Sequence, residues 1–102
     1  MNHVKVVISA TSKEEADQIS DMMIRNELIA GTMIHSGPSR YHWDGEIVEN
    51  EYFRVQGHRL AKHKEKIIEK VEEIHEDEVP IIEFTEIDGN SGFIDCIEES
   101  VK

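Results

Sequence analysis

Four residues of this chain could meet as a metal-holding or acid–base group: His75 and Glu78, three apart, and Glu49 and Glu51, two apart. Spacing of i,i+3 puts two side chains on one side of a helix. An imidazole joined by carboxylates offers nitrogen and oxygen donors that suit Cu(II), Ni(II) or Zn(II) better than Cu(I), which takes thiolate and thioether sulfur. The pair lies just ahead of Val79-Pro80, where proline ends a helix, and an element end is a common location for function. His35, beside Gly37-Pro38, is a second candidate. His3, His42, His58 and His63 read as ordinary surface residues. Met22, Met23 and Met33 fall at helical and strand spacing and read as core filler rather than a thioether copper site.

The same carboxylates and His75 could act as general acid and base, because carboxylates brought together push their pKa values apart. That set lacks a nucleophile. Cys96 stands alone in sequence with no nearby His, and the chain carries neither a glycine-rich phosphate loop nor a metal-hydrolase signature. Binding therefore ranks ahead of catalysis, and the chain is expected not to be an enzyme.

The element that must position these residues is the stretch Arg40 to Val55, which reads as one long β-hairpin. Asp44-Gly45 suits a two-residue turn whose central residues both need positive φ. The register then follows, with Trp43 opposite Glu46, Tyr41 opposite Val48 and Arg40 opposite Glu49, the last two being favourable cross-strand pairs. The hairpin carries the single Trp and both Tyr residues of the chain. Trp43 and Tyr41 are accordingly candidate pocket residues, together with His35.

Around the hairpin, Val4 to Ile8 reads as a buried strand. Ser12 to Glu15 forms a capping box in which the Glu15 carboxylate reaches back to the cap. The helix it starts ends near Asn26 and turns Ala16, Ile19 and Met23 to one side. Leu28 to His35 is a second strand, with Gly31 a place where another backbone comes close and Gly37-Pro38 an interruption that confines the strand to an edge or kinks it. A charged helix from about Leu60 to His75 presents Leu60, Ile67, Val71 and Ile74, a last strand covers Ile81 to Ile87, and Phe93, Ile94 and Ile97 side a short closing helix. The order is that of a split βαβ pattern: an α+β, ferredoxin-like sandwich with an antiparallel sheet, helices on one face and an extended hairpin. Apolar residues on the other face then need a partner, so oligomerisation is expected.

The 102 residues imply one domain, 1–102, able to bury roughly two thirds of its unfolded surface. Eleven basic against 22 acidic residues give a net charge of −11, a field that repels phosphate backbones and anionic membranes, so neither nucleic acid nor membrane is an expected partner. The run Val6-Val7-Ile8 is too short for a signal-peptide core. A lone cysteine fits a reducing, cytoplasmic setting.

Trp43-x-Gly45-Glu46, His75-x-x-Glu78-Val79-Pro80, Asp88-Gly89-Asn90 and the closing Glu98-Glu99-Ser100 together resemble the CutA divalent-cation tolerance proteins, and the resemblance covers nearly the whole chain. It implies a tight homotrimer similar in architecture to the PII signalling proteins, with the hairpin and the strand before it pairing across subunits, and an association with copper and other divalent cations. In such a trimer Trp43, Glu49, Glu51, His75 and Glu78 line a cleft between chains. No cofactor is required, and the candidate ligand is a divalent cation, Cu(II) or Zn(II). The alternative is a PII-like signalling or scaffold protein that binds a small cationic or neutral molecule in that cleft. The chain departs from the family at Gly31, where a Cys is common, at Glu76-Asp77, where Pro-Tyr is usual, and at Gly57-His58-Arg59, where Lys-Thr is expected.

Overall fold

Val4, Val6, Ile8 and Ala10 alternate along the first strand, and all four are buried on one side of a four-stranded sheet. The computed structural model describes residues 2–102. Its elements are β1 (His3–Ala10), α1 (Lys13–Arg25), β2 (Thr32–Trp43), β3 (Glu46–Leu60), α2 (Lys64–Ile74), β4 (Ile82–Glu86) and α3 (Ser91–Ser100). The sheet order is β2-β3-β1-β4 with every neighbouring pair antiparallel, the ferredoxin-like arrangement. Among the described residues no helix is long and apolar enough to cross a membrane.

Helix α1 begins where the Ser12 hydroxyl accepts from the backbone N–H of Glu15 at 3.1 Å, and it buries Ala16, Ile19 and Met23 against the sheet. α2 adds Ile67 and Val71 to the same core. It starts at Lys64, later than its apolar spacing predicts, because β3 keeps pairing with β1 as far as Leu60 opposite His3. Long-range ladder bonds outweigh the local helical pattern here. The fully buried Arg59 secures that strand end. Its guanidinium donates to the carbonyls of Leu60 at 2.7 Å, Leu28 at 2.5 Å and Lys62 at 2.8 Å, so each nitrogen of the buried cation has a partner.

Helix α3 lies on the other face of the sheet. Residues of β1 and β3 that alternate with the core set meet it there: Phe93 packs edge-on to His58 with ring centroids 4.9 Å apart, and Glu98 lies 2.9 Å from the His3 ring. The helices therefore do not all share one face, and less of the second face is left bare than a two-helix cover implies.

The hairpin has the expected register, with Arg40 opposite Glu49, Tyr41 opposite Val48 and Trp43 opposite Glu46, and its turn residues Asp44 and Gly45 have φ of 52° and 77°. β2 is an edge strand, as the proline requires, but Gly37-Pro38 does not interrupt it. At an edge, Pro38 sits opposite Glu51 without removing a bond the sheet needs. Pairing of β1 with β3 ends at Ala10 and Phe53, so residues 46–52 pair with β2 alone. The hairpin thus projects as a two-stranded ribbon, and the molecule measures 45 × 24 × 21 Å.

The close backbone approach anticipated at Gly31 is received by Gly57. A Cβ on Gly57 would overlap both Ile29 Cδ1 and the Gly31 carbonyl oxygen, whereas a Cβ on Gly31 would meet nothing within 4 Å. Gly57→Ala should therefore destabilise the protein by about 2–3 kcal/mol, because a backbone atom must move to admit the methyl group. Gly31→Ala should be tolerated. Thermal unfolding of the two variants checks this, and equal melting temperatures would contradict the assignment.

Candidate functional site

The site is built on a strap between α2 and β4, residues 75–81, held down by two buried residues far away in sequence. Ser9, 1% exposed at the end of β1, donates its N–H to the Ile81 carbonyl and accepts the Ile81 N–H on its hydroxyl, both at 2.9 Å. Its carbonyl accepts from His75 Nε2 at 2.6 Å. Since a carbonyl only accepts, Nε2 carries the proton, and Nδ1 is left to accept the Asp77 N–H at 3.0 Å. The His75 side chain is fully buried, with both ring nitrogens committed inside the chain.

Glu15 is the second anchor. Its carboxylate does not close a capping box on Ser12. It accepts instead from the N–H of Thr11 at 2.8 Å and the N–H of Glu76 at 2.6 Å, with His75 Nε2 3.7 Å away. The Thr11 hydroxyl lies 3.1 Å from Glu15 and 3.0 Å from the Glu76 carboxylate. Burial pushes the Glu15 carboxyl up, but the backbone donors of Thr11 and Glu76, the neighbouring His75 and the Thr11 hydroxyl together hold it below its ordinary value. The net direction is stabilisation of the charged form.

Held in this way, the strap presents Glu76, Asp77, Glu78 and Val79 as one wall of a cleft of about 750 Å³. The opposite wall is the ribbon face bearing His35, Tyr41, Trp43, Tyr52 and Arg54. Tyr41 and Tyr52 meet edge to face with centroids 5.9 Å apart. The Tyr52 hydroxyl donates to the Asp77 carboxylate and ties the two walls together. Burial, and after it the charge of Glu15, pushes the Asp77 carboxyl above its ordinary value.

Of the residues singled out in the sequence, His35, Tyr41, Trp43 and Glu78 line this cleft. Glu49 and Glu51 lie on the reverse face of the ribbon, since strand side chains alternate and Trp43 pairs with Glu46. Glu49 is engaged by Arg40 Nε at 2.6 Å. His75 lies inside, and a metal could bind it only by displacing the bond to Ser9 or to Asp77. Among the described residues no three His, Cys, Asp or Glu side chains converge on one point, so the donors of a single chain do not make a metal centre. Tyr52 and Arg54 were missed as lining residues, although period-2 alternation from Tyr41 and Trp43 points to them. Ser9 and Glu15 carry no local signal of their role.

A group whose folded pKa is depressed contributes stability above its unfolded pKa, here about 4.5, and loses it as pH falls through that value and below. Asp77, shifted the other way, gains as pH falls. Glu15→Gln should remove the acid-side loss attributable to Glu15 and cost about 1–3 kcal/mol near neutral pH, since the amide NH2 must face either Glu76 N–H or Thr11 N–H. Unfolding curves from neutral pH down to the carboxylate range check both effects, and a variant as stable as the parent at neutral pH would refute the anchor.

Comparison with known proteins agrees with this architecture. A sequence model of the family described as CutA1 divalent ion tolerance protein matches residues 4–100. A divalent-cation tolerance protein CutA of Thermus thermophilus is 29% identical over 97 residues, covering 93% of this chain and 94% of the relative. The solved structure of a periplasmic divalent cation tolerance protein CutA from Archaeoglobus fulgidus superposes with a TM-score of 0.93 at 27% identity, covering 98% of this chain and 99% of that one. CutA1 of Oryza sativa reaches the same TM-score at 20% identity, over 100% of this chain and 95% of its own, a likeness of fold alone. With the family match running almost from end to end of the ferredoxin-like fold and its projecting hairpin, this chain belongs to the CutA1 divalent ion tolerance family.

Proposed function

We propose that the chain works as a homotrimeric, metal-responsive binding protein, copper among its cations, and not as an enzyme. The observation that carries the assembly is the ribbon. Two strands alone are marginally stable in water, and residues 46–52 of β3 have one edge open. Met33, Ile47 and Val79 are 60%, 65% and 69% exposed, separate apolar side chains that further copies of the chain would cover.

The response to metal rests on the family and on the donors. With His75 held inside and Gly31 in the place of a thiolate, the ligands left to a cation are carboxylate oxygens of Glu49, Glu51 and Glu78, brought together only across a boundary between copies. Oxygen donors take Cu(II) or Zn(II) weakly to moderately and Cu(I) poorly. A reducing cytoplasm, where the exposed Cys96 stays a thiol, completes the reading.

Sedimentation equilibrium at micromolar concentration should give three chain masses, and a monomer would overturn the assembly. In calorimetric titrations Cu(II) and Zn(II) should bind, Cu(I) under anaerobic conditions should not bind tightly, and His75→Ala should lower the melting temperature while leaving Cu(II) affinity in place. Loss of Cu(II) affinity in His75→Ala would restore the imidazole as a ligand and refute the oxygen-donor set.

A further inference from the structure

We propose that Asp88-Gly89 is a site of spontaneous covalent modification, where the aspartate rearranges to isoaspartate and thereby loosens α3 from the sheet. The chain contains two Asp-Gly pairs, Asp44-Gly45 and Asp88-Gly89, and in both the glycine leaves its backbone nitrogen unscreened by a side chain. Sequence alone does not choose between them, but their conformations do. The Gly89 N–H donates to Asp88 Oδ1 at 2.8 Å, so Asp88 Cγ, one bond further on, stands beside the nitrogen that would attack it, a near-attack arrangement. Residues 87–90 belong to no helix or strand, and Asp88, Gly89 and Asn90 are exposed, so the backbone there is free to turn into a ring. Asp44 and Gly45 are held at φ of 52° and 77° by the closed hairpin, with Trp43 paired to Glu46. Ring closure there would rotate the Asp44 Cα–C bond away from what the two-residue turn demands.

The step balances without any partner molecule except water. The Gly89 backbone nitrogen bonds to Asp88 Cγ, and a carboxyl oxygen leaves as water with the amide proton, closing a five-membered succinimide. Water then opens the ring and returns a proton to the nitrogen. Addition at Cγ restores aspartate, whereas addition at the backbone carbonyl leaves a chain that runs through Cβ and Cγ, one carbon longer than before and unchanged in mass. That extra carbon falls where there is little room for it. Gly89 backs onto α3, since a Cβ placed on it would lie 3.0 Å from Phe93 Cδ2, and Phe93 packs in turn on His58. The next residue, Asn90, accepts the Ile94 N–H at 3.1 Å in the first turn of the helix. A lengthened backbone either presses Gly89 into the Phe93 ring or draws Asn90 off the helix start, and both weaken the seat of α3. The reaction is intramolecular and lies at the end of β1 away from the ribbon, where the Ile87 N–H bonds to the His3 carbonyl, so it depends on neither the assembly nor metal.

The test keeps the intact protein for weeks at neutral pH and physiological temperature in heavy-oxygen water, and maps its peptides by a separation that resolves isoaspartate from aspartate. In the folded protein isoaspartate should accumulate at Asp88 about tenfold faster than at Asp44, a barrier difference of about 1.4 kcal/mol, and should carry solvent oxygen taken up when the ring opens. In urea, where both pairs lose their conformations, the two rates should converge. Asp88→Glu, an exposed change whose longer side chain cannot close the five-membered ring, should abolish the product at that position. Amide hydrogen exchange across Ser91–Ser100 should quicken several-fold in the modified fraction, while α1 exchanges as in fresh protein and aged Asp88→Glu shows no change in either helix. Equal rates at the two pairs in the folded protein, a product without solvent oxygen, or unaltered exchange of α3 in the modified chain would each overturn the proposal.

Discussion

One buried carboxylate holds together parts of the chain that have no other reason to meet. Glu15 sits in the first turn of α1 and is 2% exposed, a position that would expel an ionised group were its oxygens not filled by donors. Those donors come from Thr11, just before the helix, and from Glu76, sixty-one residues after Glu15. Beside it the His75 ring is held between the Ser9 carbonyl and the Asp77 N–H. Together these groups act as a rivet between the start of α1, the end of β1 and the strap. Without that rivet the strap would be a surface loop, Asp77 would have no fixed relation to Tyr52, and the cleft would have one wall.

How much of this can be read in the sequence depends on the range of the interaction. The turn at Asp44-Gly45 imposes the hairpin register, and period-2 alternation from that register already separates Glu49 and Glu51 from Trp43 and Tyr41. Grouping all of them in one site overlooked a constraint that the residues themselves carry. The apolar spacing of α1 was equally local and therefore legible. The start of α2 was not, because Leu60 fits a helical face yet is claimed by a ladder to His3, a partner fifty-seven residues away. The same holds for His75, whose spacing to Glu78 resembles a ligand pair while its ring nitrogens are settled by Ser9 and by its own backbone neighbour. Side α3 takes is a packing outcome that an amphipathic pattern alone does not choose.

The residues read in the sequence as departures from the resembled pattern have physical roles in the fold. Gly57 admits the backbone of Gly31 and the side chain of Ile29, His58 supports Phe93, and Arg59 closes three carbonyls at the end of β3. Glu76 gives its N–H to Glu15, and Asp77 accepts from Tyr52. These residues serve the fold as fasteners, and Glu76 and Asp77 make the surface they border acidic. A shared scaffold with an altered rim is how one fold comes to host different ligands.

The open edge of the ribbon also bears on how the protein behaves as a colloid. A single chain exposes unpaired strand backbone along β2 and along residues 46–52 of β3, a template onto which any extended segment can add. Near neutral pH the eleven surplus negative charges keep such chains apart. That repulsion vanishes near the isoelectric point of about 4.9, while the backbone groups on the edge stay as they were. The limit on solubility then lies in an intact folded surface rather than in an exposed core, and the pH band around the isoelectric point is where that edge is least protected from strand addition.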